Sequence, residues 1–434
     1  MKLTNISKWA ALLVAVSGMA ALPLSISGFP LINQTSGGTT TLAVGGTYST
    51  SLDGSPNGLV LLAGNGGVIV GNNNTLISTG SGARVANAFS SGSEIRLGVN
   101  TTIKSSGAQA FGIWAQNNSM VSAIDGLRVT TTGYAAIAVY AYSDSTIDLG
   151  DHAVIKSLGG AHAVFSIGKI KAKNLLVVTG TSGGRGLFSS NNIDSVAALL
   201  EVNGGTVITA ADTGVMVINP NSVLTGTNLA VYTGVNLNAD GDMLDANGNV
   251  TTDPGQFTAY ATGSGYGLIA SNSGLMELWD SSVTTLGGPH SAAIYVSNSG
   301  TVILHGGQLT SSEAVVYVNG SGVSEVILDH VNLVGADGIV TNSTFTGTAT
   351  VNINGGSGIH GDVTNSGSGA LTVNLDNSSL TGDVTGNNSG TLNINASNSV
   401  LIGDITANDD AALTVNLDNA SELTGKIDPV DLSV

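Results

Sequence analysis

The chain has 434 residues, 61 of them glycine, no cysteine, and 12 lysines and arginines against 29 aspartates and glutamates. A formal charge of −17 removes the basic footprint that phosphate backbones require, so nucleic acid is excluded as a partner. With 42% hydrophobic and only 9% charged residues the sequence is too apolar to stay unfolded, and 7 prolines are too few for a collagen triple helix.

The amino terminus reads as a targeting segment. Met1, Lys2 and Lys8 supply positive charge, residues 10–22 form a short apolar run, and Ser25 and Ser27 are small residues suited to cleavage. Residues 1–27 are therefore expected to be a secretory signal peptide, the run being shorter than the roughly 20 apolar residues of a membrane span. An exported chain without cysteine fits a bacterial envelope, where early disulfides would trap a protein crossing a second membrane unfolded.

Residues 28–235 repeat with a step of 26. Ile77, Ile103, Val129 and Ile155 each open a stretch that turns near glycine, and Gly107, Gly133 and Gly159 keep the same step. Ser119 with Ser145 and Val121 with Ile147 do so too. Apolar and polar residues alternate with period two, the strand signal, so the four aliphatic residues are expected to stack inward on successive coils.

The period breaks in the acidic segment 236–262, expected to leave the rod as a loop. Its residues 236–247, NLNADGDMLDAN, resemble a calcium loop, which makes Asn236, Asn238, Asp240 and Asp242 weak metal candidates. Position 12 should be a bidentate glutamate but is Asn247, and no helices flank the loop, so a solvated acidic loop is the preferred reading. In residues 263–347 the step resumes, with Leu268 over Ile294 and Gly274 over Gly300.

Over residues 348–434 the step shortens to 21. Gly361-Asp362, Gly382-Asp383 and Gly403-Asp404 recur, followed by Gly425-Lys426, with the alternating strands LTVNLDN (371–377), LNINASN (392–398) and LTVNLDN (413–419) between them. Asp362, Asp383 and Asp404 should stand in a column about 4.8 Å apart, where like charges splay into solvent or recruit cations. The whole pattern predicts an all-β chain forming a single right-handed parallel β-helix with coils of about 20–26 residues. About 17 coils and a rod of roughly 80 Å are expected, with a narrow aliphatic interior from which aromatics are mostly excluded.

The signal peptide, the cysteine-free Gly/Asn/Ser/Thr-rich repeats, coils such as SGAQAFGIWAQNNSMV (106–121) and the array LTVNLDNSSLTGDV (371–384) resemble the passenger domains of bacterial autotransporters, of the pertactin-like and AIDA type. The resemblance implies an adhesive or aggregating passenger at the cell surface, a virulence-type adhesin. It would reach the outside through an outer-membrane β-barrel translocator and meet host-cell or neighbouring-cell molecules. The sequence departs from the family pattern where Leu380 and Leu423 replace a frequent tryptophan, and where the chain stops at Val434 with no barrel following. It is accordingly read as a passenger without its translocator.

No catalytic constellation stands out, and no enzyme activity and no cofactor are expected. A cysteine nucleophile is impossible, and His152, His162, His290, His305, His330 and His360 lie singly without ligand spacing. Two alternatives stand beside the adhesive passenger. One is a β-helical polysaccharide lyase or hydrolase, which would need clustered carboxylates on adjacent coils. The other is an inert stalk.

Overall fold

The computed structural model describes residues 31–429 except 55–57, 181–183, 192–196, 261–264, 288–290, 409 and 419. The expected signal peptide and His290 lie outside the described residues.

Three short strands make one coil, and each pairs in parallel with its counterpart one coil on. The first face begins with Ile32–Gln34, Leu61–Gly64, Arg84–Phe89 and Phe111–Gln116. The second begins with Thr39–Thr41, Val68–Val70, Glu94–Arg96 and Met120–Ser122, and the third with Thr47–Thr50, Thr75–Ser78, Thr102–Ser105 and Arg128–Thr131. From Lys169–Thr179 to Thr301–Ser311 the second and third faces run as one bent strand. The result is an all-β parallel solenoid of about 15 turns, 61% strand. The expected 17 coils become fewer because residues 234–260 add no rung, and the rod is about 70 Å long at roughly 4.8 Å per coil.

Alternation decides the interior. On the third face Leu76, Ile103, Val129, Ile155, Val177, Val207, Val231, Val283, Leu309 and Leu333 stack and are fully or almost fully buried. One expectation needs correcting. Leu76, not Ile77, pairs with Ile103, while Ile77 pairs with Lys104 and points outward. That coil is one residue longer than the 26-residue step, and a slip of one residue along a strand moves a side chain to the opposite face. The pairs Val121 with Ile147 and Leu268 with Ile294 stand in register as expected.

Turns are built from residues that accept left-handed backbone. The corner between the second and third faces carries Asn100, His152, Asn174, Asn228, Asp280, His330, Asn377 and Asn398, all with φ between 46° and 59°. Asn and Asp tolerate this region better than other residues bearing a Cβ. Gly133 answers a different need, since a Cβ there would overlap the carbonyl oxygen of Gly107 one coil below.

Residues 234–260 leave the coil path and double back along the outside of the third face. Val235 and Leu237 are buried against Val178, Ile208 and Ala210, with Leu158, Tyr232, Met243 and Phe257 around them. Val178, Ile208 and Tyr232 are outward rungs in register, so the excursion covers an apolar stripe that water would otherwise meet.

Candidate functional site

On the second face the outward residues form two columns whose chemistry changes from coil to coil. One runs Asp148, Lys171, Glu201, Thr225 and Glu277; the other runs Asp151, Lys173, Asn203, Thr227 and Trp279. Thr225 and Thr227 make a rung of short side chains between longer ones. Between Lys171 and Lys173 on one side and Trp279 on the other, this leaves an open groove of about 690 Å³, floored by Asn203, Thr225, Thr227 and the chain at Gly226. Its volume falls in the range of small-molecule sites.

The charges in the groove are mostly matched by their neighbours. Lys171 Nζ lies 3.0 Å from Glu201 Oε2. Asp151 accepts from Asn174 Nδ2 at 2.8 Å and from the His152 backbone N–H, and the Asn174 bond, reinforced by the charges of His152 and Lys173, holds its carboxyl below the usual range. Thr227 Oγ1 donates to Asn203 Oδ1 at 2.8 Å, which fixes the floor. The indole of Trp279 stacks on the His305 imidazole of the next coil, 5.3 Å between centroids and 20° from parallel. Its other face is turned toward the short Thr227 rung.

Coil stacking also joins residues that the sequence keeps apart. His152 Nδ1 lies 3.0 Å from Asp125 Oδ1 and 3.2 Å from Asp151 Oδ1, and the hydrogen bond to Asp125, helped by Asp151, raises the pKa of His152. Among the described residues this is the one group of three His and acidic side chains close enough to share an ion. All three are partly or fully exposed, and the imidazole already satisfies the carboxylates. A second pairing has His305 Nε2 3.3 Å from Glu277 Oε1 and His330 Nδ1 2.8 Å from Asp329 Oδ1.

The calcium-loop residues adopt a different arrangement from a metal shell. Asn238 Oδ1 accepts from the backbone N–H groups of Asp240 and Asp242, forming a local turn. Asp242 Oδ1 receives Lys156 Nζ at 2.9 Å, and the same ammonium donates to the Asp240 carbonyl at 2.8 Å. That ammonium holds the Asp242 carboxyl below its ordinary range. Asn236 contributes backbone hydrogen bonds to Thr258 and Leu244. A lysine thus occupies the position a cation would take, and pins the excursion to the rod.

The aspartate column of the carboxyl-terminal coils is tied to the backbone one coil on. Asp362 Oδ1 accepts from the Asp383 N–H, Asp383 Oδ1 from the Asp404 N–H, and Asp404 Oδ1 from the Lys426 N–H, each at 2.8 Å. The glycine before each rung, at φ between 137° and 155°, opens the backbone for this cap. Asp337, not singled out from the sequence, pairs with Asp362 as an earlier rung; burial, then the charges of Asp362 and Glu313, raises its pKa.

Aromatic residues excluded from the interior gather on the outside of the first face. Trp114, Tyr140, Phe165 and Phe188 are consecutive rungs. Tyr140 and Phe165 stack at 4.9 Å, Phe165 and Phe188 at 4.6 Å, and Arg84 lies 3.6 Å from the Trp114 ring centre. Ring faces in this ladder meet other rings or a guanidinium, so it presents edges to solvent. His162 packs edge-on against Phe165 and Phe188, and burial, then the nearby charge of Arg185, lowers its pKa to about 4.

None of the groove residues was picked out from the sequence. The available signal was KIKAKN at 169–174, whose alternation sends Lys169, Lys171 and Lys173 to one face. No protein-family model matches the chain, and no curated protein matches it in sequence.

Proposed function

We propose that the chain is a non-catalytic, secreted passenger of the bacterial autotransporter kind, carried to the cell surface by an outer-membrane β-barrel. There it contacts host or neighbouring-cell molecules through its long faces. The observation that carries this reading is the parallel solenoid of about 15 turns, an extended rod whose outward columns offer repeated polar surface over one continuous, mainly aliphatic interior. The cysteine-free composition and the amino-terminal targeting pattern support export.

The polysaccharide lyase or hydrolase reading draws on the carboxylates Asp148, Asp151 and Glu201, which the coils bring to one groove. Against it, Glu201 is engaged by Lys171, and Asp151 by Asn174 and His152. The test is display of the full chain on a bacterial surface beside an adjacent barrel, followed by adhesion and aggregation assays. Adhesion that survives Asp148→Asn and Glu201→Gln supports the passenger reading. Release of sugar products, lost in those variants, contradicts it.

A further inference from the structure

We propose that the groove between Lys171 and Trp279 binds an uncharged oligosaccharide, with one sugar ring seated on the free face of the Trp279 indole. This deepens the reading of the chain as a binding rod and rests on it.

Three observations converge. The indole is held nearly parallel to the His305 ring, so its plane lies across the rod and its other face closes one end of the groove. An indole so placed offers a rigid apolar surface of the kind that takes the C–H face of a pyranose. In the Trp114 to Phe188 ladder, by contrast, neighbouring rings already cover the ring faces.

The floor supplies both hydrogen-bond donors and acceptors. Thr225, Thr227 and Asn203 offer hydroxyls and an amide, with Lys171 as donor and Asp148 and Glu201 as acceptors on the flank. Sugar hydroxyls donate and accept at once, and match such a mixed lining better than a phosphate or an ammonium would.

Charge excludes the simplest ionic ligands. The lining holds Lys171 and Lys173 against Asp148, Asp151 and Glu201, a balance of +2 and −3, with Lys171 already bridged to Glu201. An anion would meet this slight excess of negative charge and the −17 of the whole chain, while a polycation would meet the two lysines at one end. A neutral polyhydroxylated chain meets neither obstacle.

The test is calorimetric titration of the full chain with neutral trisaccharides of the gluco, manno, galacto and N-acetylglucosamine series, each beside a trisaccharide of hexuronic acids. The expected result is binding of at least one neutral trisaccharide, with an affinity that does not move when salt rises from about 0.05 to 0.5 M. Trp279→Ala should weaken it by about tenfold or more, equal to about 1.4 kcal/mol. Thr227→Phe should abolish it by filling the groove, while Asn395→Ala on the distant coils should leave it unchanged. If Thr227→Phe does not fold, Trp279→Ala alone decides. No binding across the neutral series, binding indifferent to Trp279→Ala, or tighter and salt-sensitive binding of the uronides would each overturn the proposal. Failure here with adhesion intact in displayed Trp279→Ala cells would leave the passenger reading standing, and loss of adhesion by every variant would strike that reading instead.

Discussion

The same outward column behaves differently in two stretches of the rod. In the carboxyl-terminal coils it is uniform: Asn352, Asn374, Asn395 and Asn416 stack, and the amides of Asn374, Asn395 and Asn416 each donate at 2.8 Å to the asparagine oxygen one coil below. In the middle coils it reads Asp148, Lys171, Glu201, Thr225 and Glu277, with unequal lengths and mixed charge. Identical rungs satisfy one another and leave little for a ligand. Unlike rungs leave space and free hydrogen-bonding groups, which is why the groove lies where the repeat is least regular.

The largest effects should ignore this difference. Leu200 lies under the groove and Leu392 under the asparagine ladder, and both are fully buried. Each change to Ala should cost about 2–5 kcal/mol, read as faster local hydrogen exchange around the altered coil. Equal losses would show that the two regions share one kind of interior, and a much smaller loss at Leu200 would break the comparison.

Acid should separate the regions next. Because the pKa of His162 is lowered to about 4 in the fold, the unfolded chain binds a proton that the folded chain refuses as pH falls from about 6.5 to 4. Stability from this group is therefore present above pH 6.5 and declines by about 3 kcal/mol toward pH 4. Melts across this range should show the loss in the coils around the aromatic ladder, and His162→Phe should flatten it.

Ladder and groove then differ rung by rung. Asn395 donates to Asn374 and accepts from Asn416. Asn395→Ala should thus cost about 1–2 kcal/mol, the net worth of two hydrogen bonds, whereas Thr225→Ala in the groove should stay within about 0.5 kcal/mol. Chemical denaturation measures both, and a stability loss at Thr225 matching that at Asn395 would mean the groove rungs are structural.

The smallest effect concerns the aspartate column. Asp383→Asn keeps an oxygen for the Asp404 N–H, so it should be nearly neutral, while Asp383→Ala removes that cap and should cost about 1 kcal/mol or less. Equal melting temperatures for the two variants would deny the cap a role.

Strand class, the repeat and the stacking of Gly361, Gly382 and Gly403 were legible because each follows from spacing alone. Ile77 misled because one extra residue in a coil reverses in and out while leaving the apolar pattern intact. The groove was illegible for a related reason. Its rungs Lys171, Glu201, Thr225 and Glu277 are separated by 30, 24 and 52 residues, the last step spanning the excursion of 234–260. No fixed step would place them together. The partner of the acidic loop was illegible too, because Lys156, which binds Asp240 and Asp242, lies about 80 residues earlier.

The register across those irregular coils is the claim on which the groove depends, and the absence of native cysteine makes it directly testable. Lys171 and Glu201 are partners in adjacent strands, about 4.8 Å apart and within disulfide reach, whereas Lys171 and Thr225 stand two coils apart, about twice that distance and beyond it. On mild oxidation, the pair Lys171→Cys with Glu201→Cys should form an intramolecular disulfide in the folded protein, and Lys171→Cys with Thr225→Cys should not. A bridge in the second pair, or none in the first, would contradict the stacking that builds the site.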